Sequence, residues 1–236
     1  MSYSHIVSRR KILFTNNHIY HIFNRGVHRS TIFQHDSDYR YWEMLLYWCA
    51  NYNYPYSTYL NRLQQFDQAR NSMDNFIQFF DQQYKYSHPL VEILAYVEMP
   101  NHYHLVLEQV SDGGISRFMQ KLSTAFTMYI NAKYDFSGSL FQGKFQAVLV
   151  GSDEQLIQLL RYVLLNPINA GLVTKRNPLY KWSSLPEYLG LKNTTIIVDT
   201  HLPDDFKLKE KLLLFINTKL TQTELDTLSG LTLDNI

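Results

Sequence analysis

Apolar positions along this chain recur at two periods. Residues 18–26, HIYHIFNRG, alternate apolar Ile19 and Phe23 with polar His18 and Asn24 and stop at Gly26, which is the two-residue period of a strand. Residues 38–51 set Trp42, Leu45, Leu46 and Cys49 at three- and four-residue steps and predict a helix. Residues 91–99 and 103–109 predict two strands, with Pro100 where a strand begins or bends, a place that needs no backbone N–H. Residues 115–134 are the clearest helix, with Ile115, Phe118, Met119, Leu122, Ala125, Phe126, Tyr129 and Ile130 in one stripe. A fourth strand is expected over 144–150.

The stretch 152–167 reads as another helix, with Leu156, Leu159, Leu160, Val163 and Leu164 as its apolar stripe. Ser152 and Gln155 have capping-box spacing. Pro167 disfavours helical geometry at Asn166, so the helix is expected to end there. Beyond residue 191 the pattern predicts a short strand over 195–198 and a helix over 207–220, with Leu212, Leu213, Phe215 and Ile216 facing inward.

Residues 52–90 differ in texture, being rich in Tyr, Asn, Gln and Phe and poor in β-branched residues. A prion-like tract is one reading of that composition. The three- and four-residue spacing of Leu60, Leu63, Met73, Phe76, Ile77, Phe80 and Tyr84 favours one or two helices appended to the main domain. The resulting order has few parallel crossovers and suits an α+β fold, a mainly antiparallel sheet with helices packed on one face. Residues 1–190 form the expected domain, with a helical insert at 52–90, and residues 191–236 a mostly helical C-terminal extension.

Composition narrows the class. The chain has 236 residues, 45% hydrophobic and 15% aromatic, enough for a substantial core. A lone cysteine, Cys49, excludes an internal disulfide framework and points to a reducing compartment. No run approaches the ~20 apolar residues of a membrane span, and the N-terminus has no signal-peptide pattern. A cytoplasmic protein without a membrane partner is the expectation. Net charge is +1, but residues 1–50 carry +3 and residues 115–190 carry +4, against −4 for 51–114 and −2 for 191–236. That asymmetry is compatible with a local phosphate-binding face, and equally with uneven surface charge.

The candidate chemistry lies in MPNHYHLVLE, residues 99–108. His102 and His104 are at i and i+2 in an apolar run, so both imidazoles project from one face of a strand. Two neutral imidazoles on one face are a metal site lacking a third ligand, or else a polar pair on a solvated sheet face. In the helix over 152–167, Tyr162 and Asn166 lie one turn apart and offer a phenol beside an amide. Asn166 also suits a helix-ending role, and Tyr162 is one of 18 tyrosines that could be core.

Several stretches resemble the REP-associated tyrosine transposases, a branch of the single-tyrosine HUH or IS200-like transposases. They are YHIFNRGVHRSTIF at 20–33, AYVEMPNHYHLVLE at 95–108, ISRFMQKLSTAFTMYIN at 115–131, GSLFQGKFQAVLV at 138–150, RYVLLNPINAGLV at 161–173 and YKWSSLPEYLG at 180–190. The likeness covers about 18–50 and 91–190 and leaves out 52–90. It departs from the family at Gln142-Gly143-Lys144, where an arginine more often follows the glycine. The resemblance implies a ferredoxin-like domain that cuts and rejoins single-stranded DNA through a 5′-phosphotyrosine. Tyr162 would be the nucleophile, and His102, His104 and Asn166 would hold a divalent metal, Mg²⁺ or Mn²⁺. The partner would be single-stranded or hairpin DNA, and the protein a monomer or homodimer. Arg25, Arg117, Lys121, Lys144 and Arg161 are candidate DNA contacts or ordinary surface charges.

The chemistry needs such residues. A tyrosine hydroxyl has a reference pKa of about 10, so forming phenolate at neutral pH costs ~4 kcal/mol. A cation that takes up charge on the scissile phosphate offsets this by several kcal/mol. The alternatives are a domesticated protein that grips hairpin DNA without cutting it, and a phosphoesterase of another class. Histidine-triad hydrolases carry a further alternating histidine, and here that position is Val106.

Overall fold

A computed structural model describes residues 12–68, 73–194, 196–198 and 209–218. The alternation in the first apolar stretch becomes strand β1 (Ile19–Arg25), followed by a 3₁₀ turn at Val27–Arg29 and helix α1 (Asp36–Asn51). The side chain of Asp38 accepts from the backbone N–H groups of Gln34 and His35 at 2.9 Å each and caps α1. The tyrosine-rich stretch forms α2 (Tyr56–Gln68) and α3 (Met73–Tyr84). Its aromatic residues are what fold it: Tyr59, Phe76 and Phe80 pack with Trp48 of α1, with Trp48 and Phe80 ring centroids 5.7 Å apart.

The hairpin of β2 (Val91–Met99) and β3 (His102–Gln109) turns through Pro100 and Asn101. Helix α4 (Gly114–Tyr134) leads to β4 (Gln146–Leu149), which is shorter than the 144–150 expected. The four strands form one sheet in the order β2-β3-β1-β4, every pair antiparallel. Leaving the insert aside, the β-α-β-β-α-β order is the ferredoxin-like arrangement.

Helices α1 and α4 form the layer expected on one face. There Trp42, Leu45, Phe118, Leu122 and Phe126 pack on Tyr20, Ile22, Tyr103 and Leu105 of the sheet. Trp42 is fully buried, and truncating a tryptophan of this kind costs ~3–5 kcal/mol. A second helical layer covers the opposite face: α5 (Asp153–Asn169) sets Leu156, Leu159, Leu160 and Val163 against Val97 and Val106. The short helix α6 (Leu185–Tyr188) follows, and α7 (Lys209–Asn217) buries Leu212 and Ile216 in this second core.

Helix α5 starts as the sequence suggests, with Ser152 Oγ accepting from Gln155 N at 3.2 Å. It does not stop at Asn166. Pro167 lies within it, and Ala170 N donates to Asn166 O at 2.9 Å. A proline this near the end breaks few bonds, because only the last turn remains to be closed. The helix gives way at Gly171, whose φ of 71° is left-handed. In the C-terminal stretch the expected strand reduces to a bridge from Ile197 to Ile93, and Thr195 lies outside the described residues. Residues 207, 208, 219 and 220 of the expected last helix lie outside them too.

Candidate metal and nucleophile site

Strand register brings the two histidines of the hairpin to the α5 face. Across the β1–β3 ladder Phe23 is opposite His104 and Arg25 is opposite His102. Directly opposed residues share a face, so His102, His104, Phe23, Arg25 and, two residues further back, His21 project the same way. His102 and His104 have ring centroids 5.2 Å apart with planes at 89°. Helix α5 crosses this face and places Tyr162 against His104, with centroids 5.4 Å apart, and near His21 at 6.2 Å. One turn on, Asn166 Nδ2 donates to Tyr162 O at 2.8 Å, which leaves its amide oxygen as an acceptor.

Each imidazole is held at Nδ1. His102 Nδ1 lies 2.6 Å from Asn101 Oδ1, and Asn101 Nδ2 donates to Arg29 O at 3.3 Å. The second bond orients the carboxamide with its oxygen toward the ring. An amide oxygen only accepts, so the proton of neutral His102 sits on Nδ1 and the lone pair on Nε2. His104 Nδ1 lies 2.9 Å from His21 Nε2. Burial holds His104 well below the usual histidine range, helped by His21, His102 and Arg25, so it is neutral at neutral pH. Its Nε2 is buried with no hydrogen-bond partner among the described residues.

These residues fit a divalent cation. A neutral imidazole with a buried, unpartnered nitrogen has the chemistry of a ligand awaiting a Lewis acid. Among the described residues no group of three His, Cys, Asp or Glu is placed to hold a metal ion. A cation at this face would draw on His102 and His104, with the Asn166 amide oxygen one turn from Tyr162 as a further donor and substrate oxygens to complete the set. Such a mixed N/O set suits Mg²⁺ or Mn²⁺.

Of the five cationic candidates, the structure gathers two at this end of the sheet. Gly26 bridges Phe141, Gln142 N donates to Arg25 O at 2.8 Å, and Asn24 Nδ2 donates to Gly143 O at 3.1 Å, which sets exposed Lys144 beside Arg25. Of the other three, Arg117 is an exposed surface charge at the opposite end of the sheet, and Lys121 and Arg161 need correction. Arg117 follows the far end of β3 from His102 and donates to Asp112 O at 3.0 Å. Lys121 donates to Cys49 O and Tyr52 O, holding the C-terminal end of α1 in the other layer. Arg161 is 1% exposed, donates to Thr218 O and lies over the Phe215 ring at 4.7 Å, so it fastens α7. For Lys121 and Arg161 neither a DNA contact nor a surface charge was the outcome, because helical spacing does not tell which long side chains fold back onto the core.

Sequence reasoning also missed His21 and Asn101. The signal was present for His21: a histidine between Ile19 and Phe23 on one face of a strand is flanked by apolar residues, so it is buried and needs a partner. Asn101 has no such signal, since asparagine in a two-residue turn is ordinary.

Residues 58–165 match the family model described as transposase, IS200-like. The matched stretch begins inside the insert, includes His102, His104 and Tyr162, and stops one residue before Asn166. A solved structure of a REP-associated tyrosine transposase bound to a REP hairpin is similar, with a TM-score of 0.50 at 12% identity over 81% of this chain and 98% of that one. No curated protein matches the sequence. Over residues 58–165 the chain therefore resembles the IS200-like transposases, a family that acts on DNA. The solved fold it is similar to is that of a REP-associated tyrosine transposase. No helix among the described residues is long and apolar enough to cross a membrane.

Proposed function

We propose that this protein cuts and rejoins single-stranded DNA through a 5′-phosphotyrosine at Tyr162, with a divalent cation held by His102, His104 and Asn166. The observation that carries this reading is the packing of the Tyr162 ring, one turn from Asn166, against a histidine whose Nε2 is buried and unpartnered. In the reaction Tyr162 Oη forms a bond to phosphorus and the bond from phosphorus to the 3′-oxygen breaks. The phenol proton is lost to solvent as the oxygen attacks, and the departing 3′-oxygen gains one, leaving a free 3′-hydroxyl. The bound cation supplies Lewis-acid stabilisation of charge on the phosphate oxygens. Helix α5 holds the phenol in place, so attack needs little reorganisation of the protein. Arg25 and Lys144 bind flanking phosphates. Because the phosphodiester is kept as a phosphotyrosine, a 3′-hydroxyl reverses the step without ATP.

Hairpin DNA is the proposed partner. It is supported by the similar structure, which holds a REP hairpin. The test is to mix the protein with hairpin-bearing single strands, labelled on either side of the expected cut, and Mg²⁺ or Mn²⁺. A denaturant-resistant adduct carrying only the label 3′ to the cut is expected, because the 5′-phosphate stays on the tyrosine. Tight binding without any adduct would instead identify a hairpin-binding protein that no longer cuts.

A further inference from the structure

We propose that His21 is a positioning residue for the cation site: its Nε2 accepts the Nδ1 proton of His104 and so fixes the lone pair of His104 on Nε2. The inference rests on the metal reading above and adds to it a residue that neither touches the cation nor reacts.

The two rings lie with centroids 5.1 Å apart and planes at 17°, with His104 Nδ1 and His21 Nε2 at 2.9 Å. A single proton occupies that contact, and it has two possible owners. If His21 owns it, neutral His104 carries its own proton on Nε2, which becomes a buried N–H with no acceptor among the described residues. If His104 owns it, Nε2 is a bare lone pair. Only the second arrangement can bind a cation, and only the first strands a donor, the costlier of the two defects. The neighbouring ligand is arranged in the same sense: Asn101 Oδ1 accepts from His102 Nδ1 at 2.6 Å and sends that lone pair to Nε2 as well. Both imidazoles are thus locked in one tautomer, one by an amide oxygen and one by a third histidine. Ligand histidines commonly donate their second N–H in this way, and removing such a partner lowers metal affinity about 10–100-fold.

His21 is fully buried, tilted on Phe23 at 4.8 Å and edge-on to Tyr162 at 6.2 Å. His21→Phe keeps an aromatic ring there and removes the acceptor. His21→Gln places an amide oxygen that can accept.

The experiment combines nitrogen NMR of the histidine rings in metal-free full-length protein with calorimetric titration by Mn²⁺. Wild type is expected to show His104 protonated at Nδ1, with a pyridine-like Nε2. His21→Phe is expected to bind Mn²⁺ about 10–100-fold more weakly, and His21→Gln to recover most of that loss. An Nε2-protonated His104 in wild type overturns the assignment without any variant having to fold. Unchanged Mn²⁺ affinity in folded His21→Phe overturns it too. Wild type that takes up no Mn²⁺ while showing the expected tautomer overturns the underlying metal reading, and the NMR result tells the two failures apart.

Discussion

Tyr162 stands edge-on to His104, their ring centroids 5.4 Å apart and their planes at 87°. One residue comes from the helix over the sheet and the other from the middle of the sheet, 58 positions earlier in sequence. Tyr162→Phe keeps that ring contact and deletes one oxygen. Loss of a hydrogen-bonded hydroxyl costs about 1 kcal/mol of stability. Loss of the attacking atom removes the covalent step altogether. The variant is therefore expected to bind hairpin DNA and Mn²⁺ as wild type does, to melt within a few degrees of it, and to give no adduct. Adduct formation by Tyr162→Phe would assign the attack to another side chain.

The separation of cations into two groups makes a second prediction. A side chain that contacts phosphate contributes about one unit to the slope of log affinity against log salt, ~0.7 for single strands. Arg25→Ala and Lys144→Ala are expected to weaken DNA binding for every sequence and to lower the slope by about that amount. Lys121→Ala leaves Cys49 O and Tyr52 O without their donor. It is expected to lower the melting temperature and leave the slope as it is. Filter binding over a salt series checks both, and a reduced slope for Lys121→Ala would return that residue to the DNA surface.

Sequence pattern carried much of this architecture because most of its elements are strongly periodic. The stripe from Ile115 to Ile130 and the alternation of β1 each admit one period, and the structure has them as helix and strand. The i, i+2 spacing of His102 and His104 likewise fixed their shared face before any fold was known. What pattern could not reach was pairing. His21 joins His104 only through the β1–β3 register, and register is a property of two strands 83 positions apart. The burial of Arg161 depends on α7, which packs on it from 57 positions away. Pro167 misled for a local reason: the rule that proline ends helices weakens where the helix is about to end anyway.

A third prediction concerns the turn that holds Asn101. A Cβ on Gly26 would lie 2.3 Å from Ser30 O and 2.8 Å from Ile32 Cγ2, and the first of these is backbone that cannot swing aside. The same turn presents Arg29 O to Asn101, and through it orients His102. Gly26→Ala is expected to destabilise the fold by about 1–3 kcal/mol, lowering the melting temperature by several degrees, and to weaken Mn²⁺ binding as well. Calorimetry of the variant that finds wild-type stability would mean the turn accommodates a methyl group without moving.

The last prediction lies in the other layer. Glu98 is fully buried on β2, and neither carboxyl oxygen has a hydrogen-bond partner among the described residues. Burial pushes its pKa well above the usual carboxylate range, Glu43 and Glu187 push the same way, and Lys192 opposes them. Below about pH 4.5 both folded and unfolded chains keep this proton, and Glu98 makes stability no more pH-dependent. Above that value the unfolded chain releases the proton while the folded one retains it. The unfolded state then binds fewer protons, so stability from this group falls as pH rises, by about 1.4 kcal/mol per unit, until the raised folded pKa is reached. Glu98→Gln is isosteric and carries no titrating proton. Its melting temperature is expected to match wild type near pH 4 and to exceed it increasingly as pH rises above that, until the raised folded pKa is reached. Thermal melts of the two proteins across that range decide the matter: curves that stay parallel would show that Glu98 is ionised in the folded protein, with Lys192 compensating its charge.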